Sequence, residues 1–146
     1  MSMELIRENK EKQRATFFCG DRYRKEWYNV SAIWINDHVQ LLNKLVPDYV
    51  LGFGDNWIEY KIIPGVPASS LPHSPEFVNK VYQFCLDSIA ETSPYVHGDW
   101  SLSNIIVNGD TLKLCDWDNL GIYPMDEVRA KLISDLTNAF GTAFRQ

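Results

Sequence analysis

The chain has 146 residues, a length that suits one domain with its own core. Hydrophobic residues make up 45% of it, which favours a folded chain over a disordered one. The net charge of −5 argues against non-specific binding to nucleic acid, which needs a basic surface. Because the apolar runs are too short to span a membrane and the first residues are charged and polar, we expect a cytoplasmic protein with no membrane partner.

The three cysteines do not form a recognisable pattern. They are odd in number and widely separated, at Cys19, Cys85 and Cys115. This spacing does not match a metal site or a disulfide framework, so reduced thiols in the core are expected.

The first half of the chain predicts strands around one helix. Residues 1–14 are polar and compatible with a helix, and we expect an exposed leading segment there. Residues 15–19 and 22–28 predict two strands joined by a tight turn. Apolar residues at helical spacing predict a helix over residues 31–46, which a proline ends.

The sequence then changes from strands to helices. Residues 49–54 and 57–63 predict two more strands, and the Pro- and Gly-rich residues 64–73 predict a loop. Ser74 and the proline after it are typical of a helix start. The expected buried face of that helix consists of Phe77, Val81, Phe84, Cys85 and Ile89.

The last third predicts a hairpin followed by a helix. Residues 105–107 and 112–115 predict strands around an Asn-Gly-Asp turn, and residues 126–140 predict a helix with apolar residues four apart. The order of elements predicts an α+β fold.

Three polar side chains flank this hairpin at an informative spacing. The motif H-G-D-x-x-x-x-N begins at His97, so Asn104 follows Asp99 by five residues, and Asp116 follows Asp99 by seventeen. Asp99 is suited to orient a substrate hydroxyl and accept its proton, while Asn104 and Asp116 offer the oxygen ligands that Mg²⁺ prefers. Each stretch taken alone also fits an ordinary polar turn.

In this order the motifs resemble the protein-kinase-like superfamily, and within it the aminoglycoside phosphotransferase and choline kinase branch. The resemblance implies a reduced small lobe with an antiparallel sheet and one helix (residues 15–63), a hinge (64–73) and a truncated helical large lobe (74–146), together one kinase-like domain. It implies ATP and Mg²⁺ as cofactors and a phosphotransferase acting on a small-molecule hydroxyl. Such enzymes are usually longer, so parts of the fold are expected to be missing.

The resemblance also assigns supporting and nucleotide-binding residues. His97 and Asp135 match residues that hold the catalytic loop by hydrogen bonds, and Asp118 is either a further metal ligand or a turn-capping acid. The candidate nucleotide contacts are Lys25 for the phosphates, the backbone of Lys61 and Ile63 for adenine, and Ile106 as the apolar floor beneath adenine. Lys25 also fits a surface strand position, and Ile63 and Ile106 also fit an ordinary core.

Two departures keep other functions open. The sequence before residue 19 has no glycine and therefore no Gly-rich loop, and the predicted helix over residues 31–46 has no Glu to pair with Lys25. A nucleotide-binding module without turnover, or a domain that retains only the fold, are the alternatives. The short segment after Asp116 favours a small acceptor over a protein, and the many aromatic residues leave room for a homodimer interface.

Overall fold

The structure of the protein is a computed structural model, and it describes residues 3–144. The chain divides into two compact units, with the division between Ile62 and Ile63. No helix among the described residues is long and apolar enough to cross a bilayer.

The first unit is an antiparallel sheet with one helix. The sheet has five strands in the order β1-β2-β3-β5-β4. Its elements are β1 Glu4–Asn9, β2 Arg14–Phe18, β3 Arg22–Trp27, α1 Ala32–Leu45, β4 Val50–Phe53 and β5 Trp57–Lys61. The Ser31 hydroxyl caps α1 by accepting the Trp34 amide at 3.1 Å, and Ile35, Val39 and Leu42 bury its apolar stripe.

The second unit combines two longer helices with a small sheet of order β6-β7-β8. Ser74 caps α2 by accepting the Phe77 amide at 3.2 Å, as predicted from the Ser-Pro start. The elements are β6 Val66–Pro67, α2 Pro75–Thr92, β7 Ile105–Asn108, β8 Thr111–Leu114 and α3 Met125–Phe140. The predicted apolar residues of α3 are all buried, namely Val128, Leu132, Leu136 and Phe140.

The structure corrects three expectations about local structure. Residues 4–9, expected in a helix-compatible leading segment, form strand β1 and pair with β2, because the β1–β2 hairpin satisfies their backbone groups. Residues 66–70, expected in a loop or hinge, form β6 and a short 3-10 turn, since Val66 and Pro67 pair with β7.

The third correction concerns α2. Its buried face is Val78, Val81, Cys85, Ser88 and Thr92, so Phe77, Phe84 and Ile89 are only half-buried. The Thr92 hydroxyl can occupy a buried position because it donates to the Ser88 carbonyl at 3.0 Å. Cys19 and Cys85 are buried free thiols, and Cys115 is half-buried.

Candidate active site

The H-G-D-x-x-x-x-N motif lies in the second unit, between α2 and β7, and begins with a fully buried histidine. His97 has no exposed surface. Its Nδ1 accepts the Asp99 amide at 3.1 Å, so the proton lies on Nε2, which donates to the Cys115 carbonyl at 2.8 Å. Burial lowers the pKa of His97, which favours this neutral form. The ring therefore joins the loop at Asp99 to the strand end before Asp116.

Asn104 makes a second connection between the same two segments. The backbone carbonyl of Asn104 accepts the backbone amide of Cys115 at 2.8 Å. The backbone amide of Asn104 donates to the Ser101 carbonyl at 2.9 Å. Cys115 is thus held at its N–H by Asn104 and at its carbonyl by His97. Because Asp116 is the next residue, the backbone fixes where the two candidate metal ligands lie relative to each other.

Asp99 is held as a carboxylate. Its Oδ1 accepts the Ser101 hydroxyl at 2.6 Å and the Ser101 amide at 3.2 Å. Partial burial acts to raise the pKa of Asp99, but these hydrogen bonds from Ser101 hold it below its usual value. The negative charge of Asp116 acts in the opposite sense and raises the pKa of Asp99.

Two backbone positions in the site lie in the left-handed region. Gly98 has φ of +88°, and a Cβ there would lie 2.7 Å from the Asn119 carbonyl oxygen, so glycine is required. Asp116 has φ of +58°, which is uncommon for a residue other than glycine. Such conformations persist only where surrounding contacts impose them, and they are frequent in functional sites.

Helix α3 also holds the loop, through Asp135. Asp135 Oδ2 accepts the Trp100 amide at 3.0 Å, and its Oδ1 accepts the Lys131 amine at 2.7 Å. The predicted hydrogen bond from Asp135 to the loop that carries Asp99 is therefore present.

The segment after Asp116 turns back towards the start of the loop. Leu120 donates to the Trp117 carbonyl at 3.1 Å, and Val96 pairs with Gly121 through two backbone hydrogen bonds. Asp118 lies in this turn, and its charge, like those of Asp99 and Asp116, acts on His97. Hydrogen bonds within the second unit therefore link His97 to Asp99 and both His97 and Asn104 to Cys115, the residue before Asp116, while Asp135 is linked to the loop at Trp100.

The donor set here suits Mg²⁺ bound together with a nucleotide. Among residues 3–144 no group of three or more His, Cys, Asp or Glu side chains forms a metal cage. Mg²⁺ commonly uses one or two protein carboxylates and completes its shell with phosphates and water. The Asp116 carboxylate and the Asn104 amide oxygen fit that requirement, and His97 is excluded because both ring nitrogens are already engaged.

The predicted nucleotide contacts are distributed over both units. Lys25 lies on β3 and is only 9% exposed, with its amine 5.8 Å from the centre of the Tyr60 ring. Lys61 ends β5, and its amide donates to the Tyr49 carbonyl at 2.8 Å, so this amide is engaged in the sheet. Ile63 begins the second unit, in which Ile106 lies half-buried on β7 opposite Pro67.

Sequence reasoning missed one charged residue that the structure makes conspicuous. Arg14 opens β2 and is only 8% exposed. Arg14 falls within the predicted polar leading segment, because the sequence does not predict strand β1, which pairs with β2 at this residue. The sequence signal for Arg14 is the alternation of side chains along β2. In the register of β2 with β3 this alternation places Arg14 and Lys25 on one face of the sheet.

No protein-family model matches the chain, and no curated protein matches it. Among solved structures the chain is similar to the crystal structure of WbdD, with 17% sequence identity and a TM-score of 0.56. The match covers 90% of this chain and 36% of the WbdD chain, so this chain spans about a third of that protein. At this identity the likeness shows the fold, which is a reduced protein-kinase-like α+β fold.

Proposed function

We propose that this chain is an ATP- and Mg²⁺-dependent phosphotransferase that acts on the hydroxyl group of a small molecule. The observation that carries the proposal is the shared framework of Asp99, Asn104 and Asp116. Hydrogen bonds through Cys115 and His97 hold all three segments together. A purely structural domain has no need of two carboxylates and a buried amide on segments that are held together by hydrogen bonds.

In the proposed reaction Asp99 acts as the base. The acceptor hydroxyl donates a hydrogen bond to the Asp99 carboxylate, and its oxygen forms a bond to the γ-phosphorus as the bond to the β,γ-bridging oxygen breaks. Asp99 takes the hydroxyl proton, and ADP leaves with the bridging oxygen. Asn104 and Asp116 would hold the Mg²⁺, which neutralises charge on the phosphate oxygens when bound. The lowered pKa of Asp99 keeps the carboxylate ionised at neutral pH, so it can accept the hydrogen bond of the acceptor hydroxyl.

The choice of a small acceptor is supported by the segment after Asp116. Eight residues separate Asp116 from the start of α3 at Met125, and pairing between Val96 and Gly121 ties this segment to the loop. A protein kinase uses a longer segment here to dock its peptide. Together with the Gly before Asp99, this favours the aminoglycoside phosphotransferase and choline kinase branch within the kinase-like fold.

Asp99→Asn is the test of this role. Asparagine keeps the oxygen that accepts both Ser101 hydrogen bonds and removes only the base. We expect turnover, measured as ADP release with a panel of hydroxylated metabolites, to fall by about 10²–10⁴-fold while ATP affinity is retained. Asp110→Asn, in the exposed β7–β8 turn, is the matched control and should keep full activity. Equal turnover in Asp99→Asn would end the proposal.

A nucleotide-binding module without turnover is the second candidate. It is favoured by the β1–β2 turn, where the resemblance implies a Gly-rich loop and this chain has Lys10 to Gln13 without glycine. It predicts Mg²⁺-dependent ATP binding with no ADP release for any acceptor. The expected homodimer stays a prediction, and light scattering that shows only monomer would contradict it.

A further inference from the structure

Three consecutive backbone amides at Asp99 are each bound by a side chain. The Asp99 amide donates to His97 Nδ1 at 3.1 Å, and the Trp100 amide donates to Asp135 Oδ2 at 3.0 Å. The Ser101 amide donates to Asp99 Oδ1 at 3.2 Å. These contacts fix the backbone around Asp99. Rotation of an aspartate carboxylate is broad, however, so the backbone alone does not decide where its two oxygens point.

The Ser101 hydroxyl supplies the contact that fixes the carboxylate. It donates to Asp99 Oδ1 at 2.6 Å, a distance typical of a strong hydrogen bond from a hydroxyl to an ionised oxygen. A turn in which an aspartate binds the amide two residues on needs only the backbone bond. The hydroxyl therefore adds a contact that the turn itself does not require, and two donors from one residue hold the same oxygen.

The two oxygens of Asp99 differ as a result. Oδ1 already accepts two hydrogen bonds, which is the number of its lone pairs. Oδ2 accepts none from residues 3–144, and it does not belong to the polar atoms that are both buried and without a partner, so solvent reaches it. A hydroxyl group that approaches Asp99 therefore meets a free acceptor at Oδ2.

We infer that Ser101 is a positioning residue that selects Oδ2 of Asp99 as the oxygen that takes the proton of the acceptor hydroxyl. The inference rests on the proposed function and adds a residue that the resemblance does not assign. As the O–H bond of the acceptor breaks, an Oδ2–H bond forms, and the electron pair left on the acceptor oxygen forms the bond to the γ-phosphorus. Oδ1 can accept both bonds from Ser101 before and after this transfer, so the carboxyl group keeps its orientation.

The same hydroxyl also helps to keep Asp99 ionised. Partial burial acts to raise the pKa of Asp99, and the hydrogen bond from the Ser101 hydroxyl is the strongest of the contacts that lower it. A chain without this hydroxyl would have a base that is less well oriented and more easily protonated. Both changes would slow the chemical step and leave ATP binding largely unaffected.

The test removes this hydroxyl and compares it with a neighbouring one. Ser101→Ala keeps the amide bond to Asp99, and Ser103→Ala is the matched control, because Ser103 is exposed and its hydroxyl makes no hydrogen bond among the described residues. We expect Ser101→Ala to lower kcat for ADP release by about 5–50-fold, with KM for ATP within about 2-fold of wild type. Ser103→Ala should leave both values near wild type.

A conservative variant should rescue the activity. Ser101→Thr retains the hydroxyl, and the extended backbone of this residue, with φ of −60° and ψ of 138°, also suits threonine. We expect its kcat to lie within about 3-fold of wild type. A kcat of Ser101→Thr as low as that of Ser101→Ala would contradict the role of the hydroxyl.

A double-mutant cycle with Asp99→Asn separates positioning from a merely structural role. If Ser101 acts through the base, the loss of its hydroxyl should matter little once the base is absent. We expect Ser101→Ala to lower the residual turnover of Asp99→Asn by less than about 2-fold. An equal loss in the wild-type and Asp99→Asn backgrounds would overturn the inference.

The outcomes separate this inference from the proposed function. Unchanged kcat in Ser101→Ala, with an active wild type, overturns the role of Ser101 and leaves the phosphotransferase proposal unaffected. Failure of wild type to release ADP with any acceptor overturns both. Should circular dichroism show that Ser101→Ala is unfolded, Ser101→Cys decides the matter, since a thiol is only a weak donor. A lower kcat with ATP affinity retained in Ser101→Cys supports the inference, and a wild-type kcat overturns it.

Discussion

Replacing Gly98 by alanine tests how tightly the loop that carries Asp99 is fixed. Gly98 and Gly109 both have positive φ, +88° and +60°, so alanine is strained at either position by about 1–2 kcal/mol. They differ in their surroundings. A Cβ at Gly98 would lie 2.7 Å from the Asn119 carbonyl oxygen, whereas a Cβ at Gly109 meets nothing within 4 Å.

The difference between the two variants measures the close approach at Gly98. Relief of such a backbone contact requires a local shift that costs about 1–3 kcal/mol beyond the strain at positive φ. We therefore expect Gly109→Ala to lower the free energy of unfolding by about 1–2 kcal/mol and Gly98→Ala by about 2–5 kcal/mol. Urea unfolding followed by circular dichroism provides the measurement, with the m-value as a check on two-state behaviour. Equal losses in the two variants would refute the reasoning.

Three further predictions concern the groups around the loop. Burial lowers the pKa of His97 below its usual 6.5, so the unfolded chain binds a proton before the folded chain does as pH falls. The free energy of unfolding should therefore decline from pH 7 to 5. Urea unfolding at several pH values checks this, and the decline should be shallower in His97→Gln. Asp135→Ala leaves the Trp100 amide without its acceptor and should lower the free energy of unfolding by about 1–3 kcal/mol. Turnover should fall more than ATP affinity. Thermal unfolding and kinetics at fixed ATP check this, and no loss of stability would contradict it. Burial, assisted by the charge of Asp135, raises the pKa of Cys85 to about 12. Iodoacetamide should therefore label Cys85 only slowly in native protein at pH 8, as measured by mass spectrometry. Rapid labelling would contradict this packing.

Much of the fold could be predicted because its signals are local. The serine caps at Ser31 and Ser74 and the stripe of α3 depend on side chains near in sequence, and each helix starts within one residue of the prediction. Strand β1 could not be predicted in this way, since its residues are mostly exposed and polar and become a strand through pairing with β2.

The candidate site likewise has features with local sequence signals and features that depend on contacts distant in sequence. The spacing of Asp99, Asn104 and Asp116 is visible in the sequence because one short hairpin connects them. The double fixation of Cys115 and the burial of Arg14 depend on contacts between segments distant in sequence, so only the structure identifies them.

The proposed Mg²⁺-dependent nucleotide binding depends on Asp116, which follows directly on Cys115, the residue that is hydrogen-bonded to Asn104. The most direct test is calorimetric titration of ATP, with and without Mg²⁺, into wild type and Asp116→Asn, with Asp110→Asn as the control for loss of one acidic charge. We predict Mg²⁺-dependent ATP binding in wild type and Asp110→Asn that Asp116→Asn abolishes. Failure of wild type to bind ATP, or equal Mg²⁺-dependent binding by Asp116→Asn, would contradict the claim.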